Sequence, residues 1–110
     1  MPHGHSVIVT APAAFRFTYH AAPERHTHVA GLLAQKPIAD PGPDTLPDVI
    51  RRLMQDVDAP RGVAELRYHE DDIPDLVAGA LKQQRLLAVA PKPATEDDLR
   101  RIITASMTNW

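Results

Sequence analysis

Residues 7–19 read VIVTAPAAFRFTY, and their conformation decides the fold class. Taken alone they favour a strand. Val7, Ile8 and Val9 are a β-branched start, and Phe15, Phe17 and Tyr19 alternate with Arg16, Thr18 and His20. No other segment of the chain repeats that pattern, and a lone strand has no neighbour for its backbone N–H and C=O groups. The stretch is therefore expected to be helical. The whole chain is then all-α, a compact bundle of about five helices.

Moving outward, three segments carry helical spacing. Leu46, Val49, Ile50, Leu53, Met54 and Val57 recur at i, i+3, i+4, i+7, i+8 and i+11, which places them on one helix face. Asp44 or Thr45 is the expected N-cap. Pro47 is tolerated in the first turn, and Pro60 and Gly62 act as stops. Ile73, Leu76, Val77, Ala80 and Leu81 form a second face. Its entry through Glu70, Asp71 and Asp72 suits the positive end of the helix dipole, and it is expected to fray near Gln83 to Arg85. Leu99, Ile102, Ile103 and Met107 form a third, where Thr95 and Asp98 have capping-box spacing. Pro23 to Leu33 reads as a short helix, and Lys36 to Pro43 as a loop, within a connection of about 34–44. One domain, residues 1–110, is expected.

Composition narrows the function classes. A chain of 110 residues is one domain at most, burying roughly 60–70% of its unfolded surface. Its net charge is −2 with both signs interspersed, so no basic stripe exists to neutralise phosphates and nucleic-acid binding is not expected. No uncharged apolar run approaches the ~20 residues of a membrane span. The absence of cysteine removes disulfides and thiolate chemistry. With no Lys/Arg-bearing secretory start, this fits a reducing compartment, and a cytoplasmic setting is expected.

Six histidines are the remaining chemistry, at 3, 5, 20, 26, 28 and 69. The two H-x-H pairs, 3/5 and 26/28, would chelate a metal only on a strand, where i and i+2 share a face. On a helix they lie about 200° apart, so His26 and His28 are expected to be solvated or half-buried surface residues. Neither pair has a further ligand at metal spacing.

Pro2-His3-Gly4, followed by SVIVTAP, resembles the metal-binding segment of the iron-containing alcohol dehydrogenase family. The likeness continues in order through Phe15-Arg16-Phe17-Thr18, Ala22-Pro23-Glu24-Arg25-His26 and Val29-Ala30-Gly31-Leu32-Leu33. Tyr68 with Ile73-Pro74-Asp75-Leu76-Val77, then residues 80–87, Ala90-Pro91 and Thr95-Glu96-Asp97-Asp98-Leu99, extend it. These are similar to the hydroxyacid–oxoacid transhydrogenase branch. The resemblance implies the C-terminal helical domain of a dehydroquinate synthase-like fold whose α/β nucleotide domain is missing from this chain. It implies an enzyme with a divalent metal, Fe²⁺ or Zn²⁺, held by one Asp and three His, and NAD(P) as hydride carrier. Of those ligands only His3 falls here, and no glycine-rich dinucleotide run is present. It further implies a substrate wall near Lys82, Gln83 and Arg85, where a cation could meet a substrate carboxylate. No catalytic residue is assigned, and the chain is expected to be inactive and to hold no cofactor stably by itself.

Three positions depart from the family pattern. Pro91-Lys92-Pro93 resembles the family's N-P-R-P turn, but Ala90 replaces Asn and Lys92 replaces Arg, and Lys does not replace an Arg fork equivalently. Arg67 stands where the family commonly has Gly, which is costly if φ is positive. The rival reading is a non-catalytic helical interaction or oligomerisation module. It would pair with a separate N-terminal half, or with itself, through an orphaned apolar face. A third reading is a small metal-binding protein using His3 and His5.

Overall fold

The β-branched start of residues 7–19 is helical: α1 runs from His3 to Thr18 in the computed structural model, which describes residues 3–83 and 92–110. Tertiary burial overrides strand propensity here, since Val9, Pro12 and Ala13 are all buried. A single 3₁₀ turn, Tyr19–Ala21, leads to α2, Pro23–Ala34, with Pro23 in the first turn. Gln35 ends α2 in the left-handed region (φ 57°), and both its N–H and that of Lys36 donate to the Gly31 carbonyl. After the expected loop come α3 (Thr45–Asp56), α4 (Ile73–Leu81) and α5 (Glu96–Ala105). Five α-helices and no strand are present among the described residues. None of these helices is long and apolar enough to cross a membrane.

The apolar stripes build two clusters. Val9 of α1, Ala30 of α2, Leu46, Ile50 and Met54 of α3, and Val63 form the larger one. Ile73 and Val77 of α4 meet Leu99 of α5 in the smaller. Met107 packs against both. Two residues of the α3 stripe depart from expectation: Leu53 is 38% exposed and Val57 74%. The stripe is wider than the surface that α1 and α2 offer to cover it.

The caps divide in the same way. Asp44 occupies the N-cap position of α3, but its carboxylate makes no cap hydrogen bond and takes Arg16 Nε at 2.9 Å instead. At α5 the expected box is complete. Thr95 Oγ1 accepts from the Asp98 N–H (3.2 Å), and Asp98 Oδ2 accepts from the Thr95 N–H (3.0 Å). That backbone N–H, with the Thr95 hydroxyl and the charges of Lys92 and Arg101, holds the Asp98 carboxyl below its ordinary value. Because the folded value is depressed, the contribution is complete above the ordinary carboxylate range and is lost as pH falls through the lower folded value. Thr95→Ala removes the N-cap hydroxyl and is expected to cost about 1 kcal/mol. Urea unfolding should show this, together with a shallower loss of stability toward acid pH than the parent chain.

Residues 61–64 carry the join between the middle of the chain and its last segment. The Val63 N–H donates to Ser106 O (2.9 Å), Ala64 N–H to Met107 O (3.2 Å), and Asn109 N–H to Arg61 O (2.8 Å). Asn109 Nδ2 also donates to Val9 O at 3.0 Å, tying this join to α1. Arg67, just beyond, has φ 71° and ψ 24°, a left-handed conformation that glycine adopts freely and arginine only at a cost. Arg67→Gly is expected to stabilise the domain by about 0.5–1 kcal/mol. A raised urea midpoint at unchanged slope would register it.

Candidate metal and substrate site

His3 is the first residue of α1, so the helix start that the glycine follows is real. The His3 side chain lies outside what the structure describes. Two residues on, His5 is exposed and, with Ile8 one turn later, lines a cleft of about 830 Å³. Gln55, Arg61, Glu65 and Trp110 form the other walls. Arg61 and Glu65 are joined twice, by a hydrogen bond from the Arg61 N–H to Glu65 Oε2 (2.9 Å) and by a looser ion pair (3.9 Å). Trp110 also packs against the larger core cluster. Its separation of 105 positions from His5 hid this shared wall from sequence reasoning.

The expected substrate residues lie elsewhere. Lys82 caps the C-terminal end of α4 and Gln83 follows it, both exposed, and neither lines the cleft beside His5. Arg85 is outside the described residues. The structure does not bring Lys82 or Gln83 to the His5 cleft.

His26 corrects the surface expectation: it is buried, at 8% exposure. Its Nδ1 lies 2.7 Å from the Ala22 carbonyl, which can only accept, so Nδ1 carries the proton. Nε2 lies 2.8 Å from the Thr18 hydroxyl, its hydrogen-bond partner. The ring meets Phe15 and Tyr19 edge-on, with centroids 5.8 and 6.0 Å away. The Thr18 contact ties α1 to α2, the Ala22 contact is local to the start of α2, and with both ring nitrogens so engaged His26 is not free to serve as a metal ligand. His28 is exposed, as expected.

A family-type metal needs about three or four convergent ligands. Among the described residues there is no group of three His, Cys, Asp or Glu side chains that could hold an ion. The described residues do not by themselves fit the metal, and no reaction step is derived through it.

With this geometry in place, comparison with known proteins is direct. The C-terminal domain of the Fe-containing alcohol dehydrogenase family matches residues 1–107, and the chain belongs to that family. It is 43% identical over 113 residues to the mitochondrial hydroxyacid-oxoacid transhydrogenase of Bos taurus, covering 97% of this chain and 24% of that protein. The Homo sapiens enzyme of the same name is 41% identical over 97% of this chain and 24% of its own length. The probable mitochondrial transhydrogenase of Dictyostelium discoideum is 41% identical over 98% of this chain and 20% of its own length. The chain thus spans about a quarter or less of the curated relatives it matches. No solved structure matches it significantly. The all-α, C-terminal-domain reading and the transhydrogenase-like resemblance stand. The expected cytoplasmic setting does not: these relatives are named as mitochondrial, and lack of cysteine does not separate two compartments that both keep thiols reduced.

Proposed function

We propose that this chain acts as the C-terminal helical part of a hydroxyacid–oxoacid transhydrogenase-type oxidoreductase, contributing His3 as one metal ligand and the end of α4 as part of a substrate wall. The carrying observation is the match to the transhydrogenases over 97% of the chain. The placement of His3 at the first residue of α1 supports it. In the complete protein a metal would supply Lewis-acid polarisation of the reacting oxygen, and a nicotinamide would carry the hydride. This chain's part is to position: α1 fixes the backbone from which the imidazole projects, and the exposed Lys82 offers a cation for a substrate carboxylate.

The test is made on the protein purified from its native source. Its intact mass is measured first, then its ability to move deuterium from a 2-deuterated 2-hydroxy acid to a 2-oxo acid. A mass several times the 12.1 kDa of this chain, with label in the new hydroxy acid, is the expected result. A complete preparation, free of proteolysis, that transfers no label overturns the reading.

A second reading rests on exposed apolar side chains. Val29, Leu32 and Leu33 of α2, at i, i+3 and i+4, stand 41%, 64% and 41% exposed. We infer that this face receives the part of the protein that the relatives carry beyond the matched quarter. A 110-residue protein that stays monomeric and binds no such partner removes it.

A further inference from the structure

The C-terminal half of α1 and the length of α5 face each other across a second cleft, of about 430 Å³. Ala13, Arg16 and Phe17 come from α1 at i, i+3 and i+4, and His20 from the 3₁₀ turn that follows; Asp98, Arg101, Ile102 and Ala105 come from α5 at i, i+3, i+4 and i+7. Each helical set is one face of its helix. Arg51 of α3 and Lys92 also line the cleft. It lies about 20 Å along the α1 axis from His3, at 1.5 Å per residue.

Four cations, Arg16, Arg51, Lys92 and Arg101, converge here in a chain whose net charge is −2. Three carboxylates are close. Asp44 takes Arg16 Nε at 2.9 Å, Asp48 takes Arg51 Nη1 at 2.7 Å, and Asp98 is committed to the α5 cap. The cations still outnumber them. Arg101 is exposed and has no ion pair or hydrogen bond among the described residues. Arg51 is more telling. Its side chain is 27% exposed, and its Nε is buried with no protein acceptor. With Nη1 fixed by Asp48, the planar fork holds that N–H in place. Arg51 lines the cleft, although the buried Nε itself is shielded from a ligand there. Lys92 Nζ lies 4.3 Å from the Phe17 ring centroid, so Phe17 and Ile102 add an apolar wall beside the charges.

We propose that this cleft binds a small organic phosphate, with Arg51 and Arg101 donating to the phosphate oxygens and Phe17 and Ile102 packing against its organic body. A phosphate dianion carries three terminal oxygens and can accept from several cations at once. A monocarboxylate has two oxygens and one charge, and leaves cations unmatched. The transhydrogenase reading does not require this site, and the two stand or fall separately.

Calorimetric titration of the 110-residue protein with phenyl phosphate at about 0.15 M salt tests it, with benzoate as the carboxylate probe of the same shape. Saturable binding of phenyl phosphate is expected, at least about tenfold tighter than benzoate. Arg101→Gln, an exposed position that leaves the fold alone, should weaken it about tenfold, as should Arg51→Gln. Arg100→Gln, next in sequence but already paired with Glu96 and Asp97, should change nothing. Absence of saturation, equal loss in the Arg100 variant, full affinity in Arg101→Gln, or benzoate binding as tightly as phenyl phosphate overturns the proposal.

Discussion

Replacing Gly62 by alanine lowers the stability of the domain by about 3–5 kcal/mol. A Cβ at this position would stand 2.3 Å from the Met107 carbonyl oxygen and 2.5 Å from that of Ser106. These are backbone atoms, and no rotamer change moves them away. The residue itself is extended (φ 177°), so the glycine is required by the close approach and not by its dihedral angles. Relief of the overlap needs residues 61–64 and 106–109 to part, which strains the three backbone hydrogen bonds between them. A domain of this size has roughly 5–15 kcal/mol in total, so the loss is a large fraction of it. Urea and thermal unfolding should both show it, with the melting temperature lower by more than about 10 °C. Gly79→Ala is the control. It lies within α4 with nothing within 4 Å of the added carbon, and should stabilise by about 0.5–1 kcal/mol.

Removing the His3 imidazole has the opposite character: a large functional effect and a small structural one. In the complete protein, His3→Ala is expected to lower metal affinity by more than the roughly 10–100-fold that loss of an outer partner costs, and label transfer with it. The reason is arithmetic in ligands. A site of three or four donors that loses one leaves a metal competing with water on too few contacts. Position 3 is the first residue of α1, and His3→Ala is expected to shift unfolding by less than about 0.5 kcal/mol. Metal analysis after dialysis, beside His5→Ala, separates the cases. His5→Ala should keep its metal. Equal loss in both variants, or full metal retention in His3→Ala, would remove His3 from the ligand set.

The helices were largely legible because their periodicity and stops are local. α3, α4 and α5 sit where the apolar spacing put them, and the Thr95–Asp98 box needed only a three-residue window. Residues 7–19 were readable only by elimination, since their propensity points to a strand and burial decides against it. The site was less legible, because its geometry is non-local. His26 gave no sign of burial: the Ala22 carbonyl is a local partner at the start of α2, but Thr18, Phe15 and Tyr19 close over the ring only when α1 and α2 fold together. Arg16, Arg51, Lys92 and Arg101 are scattered over 86 positions, and no window of sequence shows them lining one cleft. Arg67 was the reverse case. Arginine there is expected to be costly if φ is positive, and its φ is 71°.

His5 and Trp110 line one cleft, and Asn109 reaches the Val9 carbonyl. The first turns of α1 and the last described residues therefore meet at a single pole. Polypeptide attached beyond Trp110 would emerge beside the start of α1, like a leash tied at that end. A fluorescent donor and acceptor, one on each of these segments, would sit within close transfer range while the domain is folded. The α1–α5 cleft, toward the other end of α1, would be left clear of both tags.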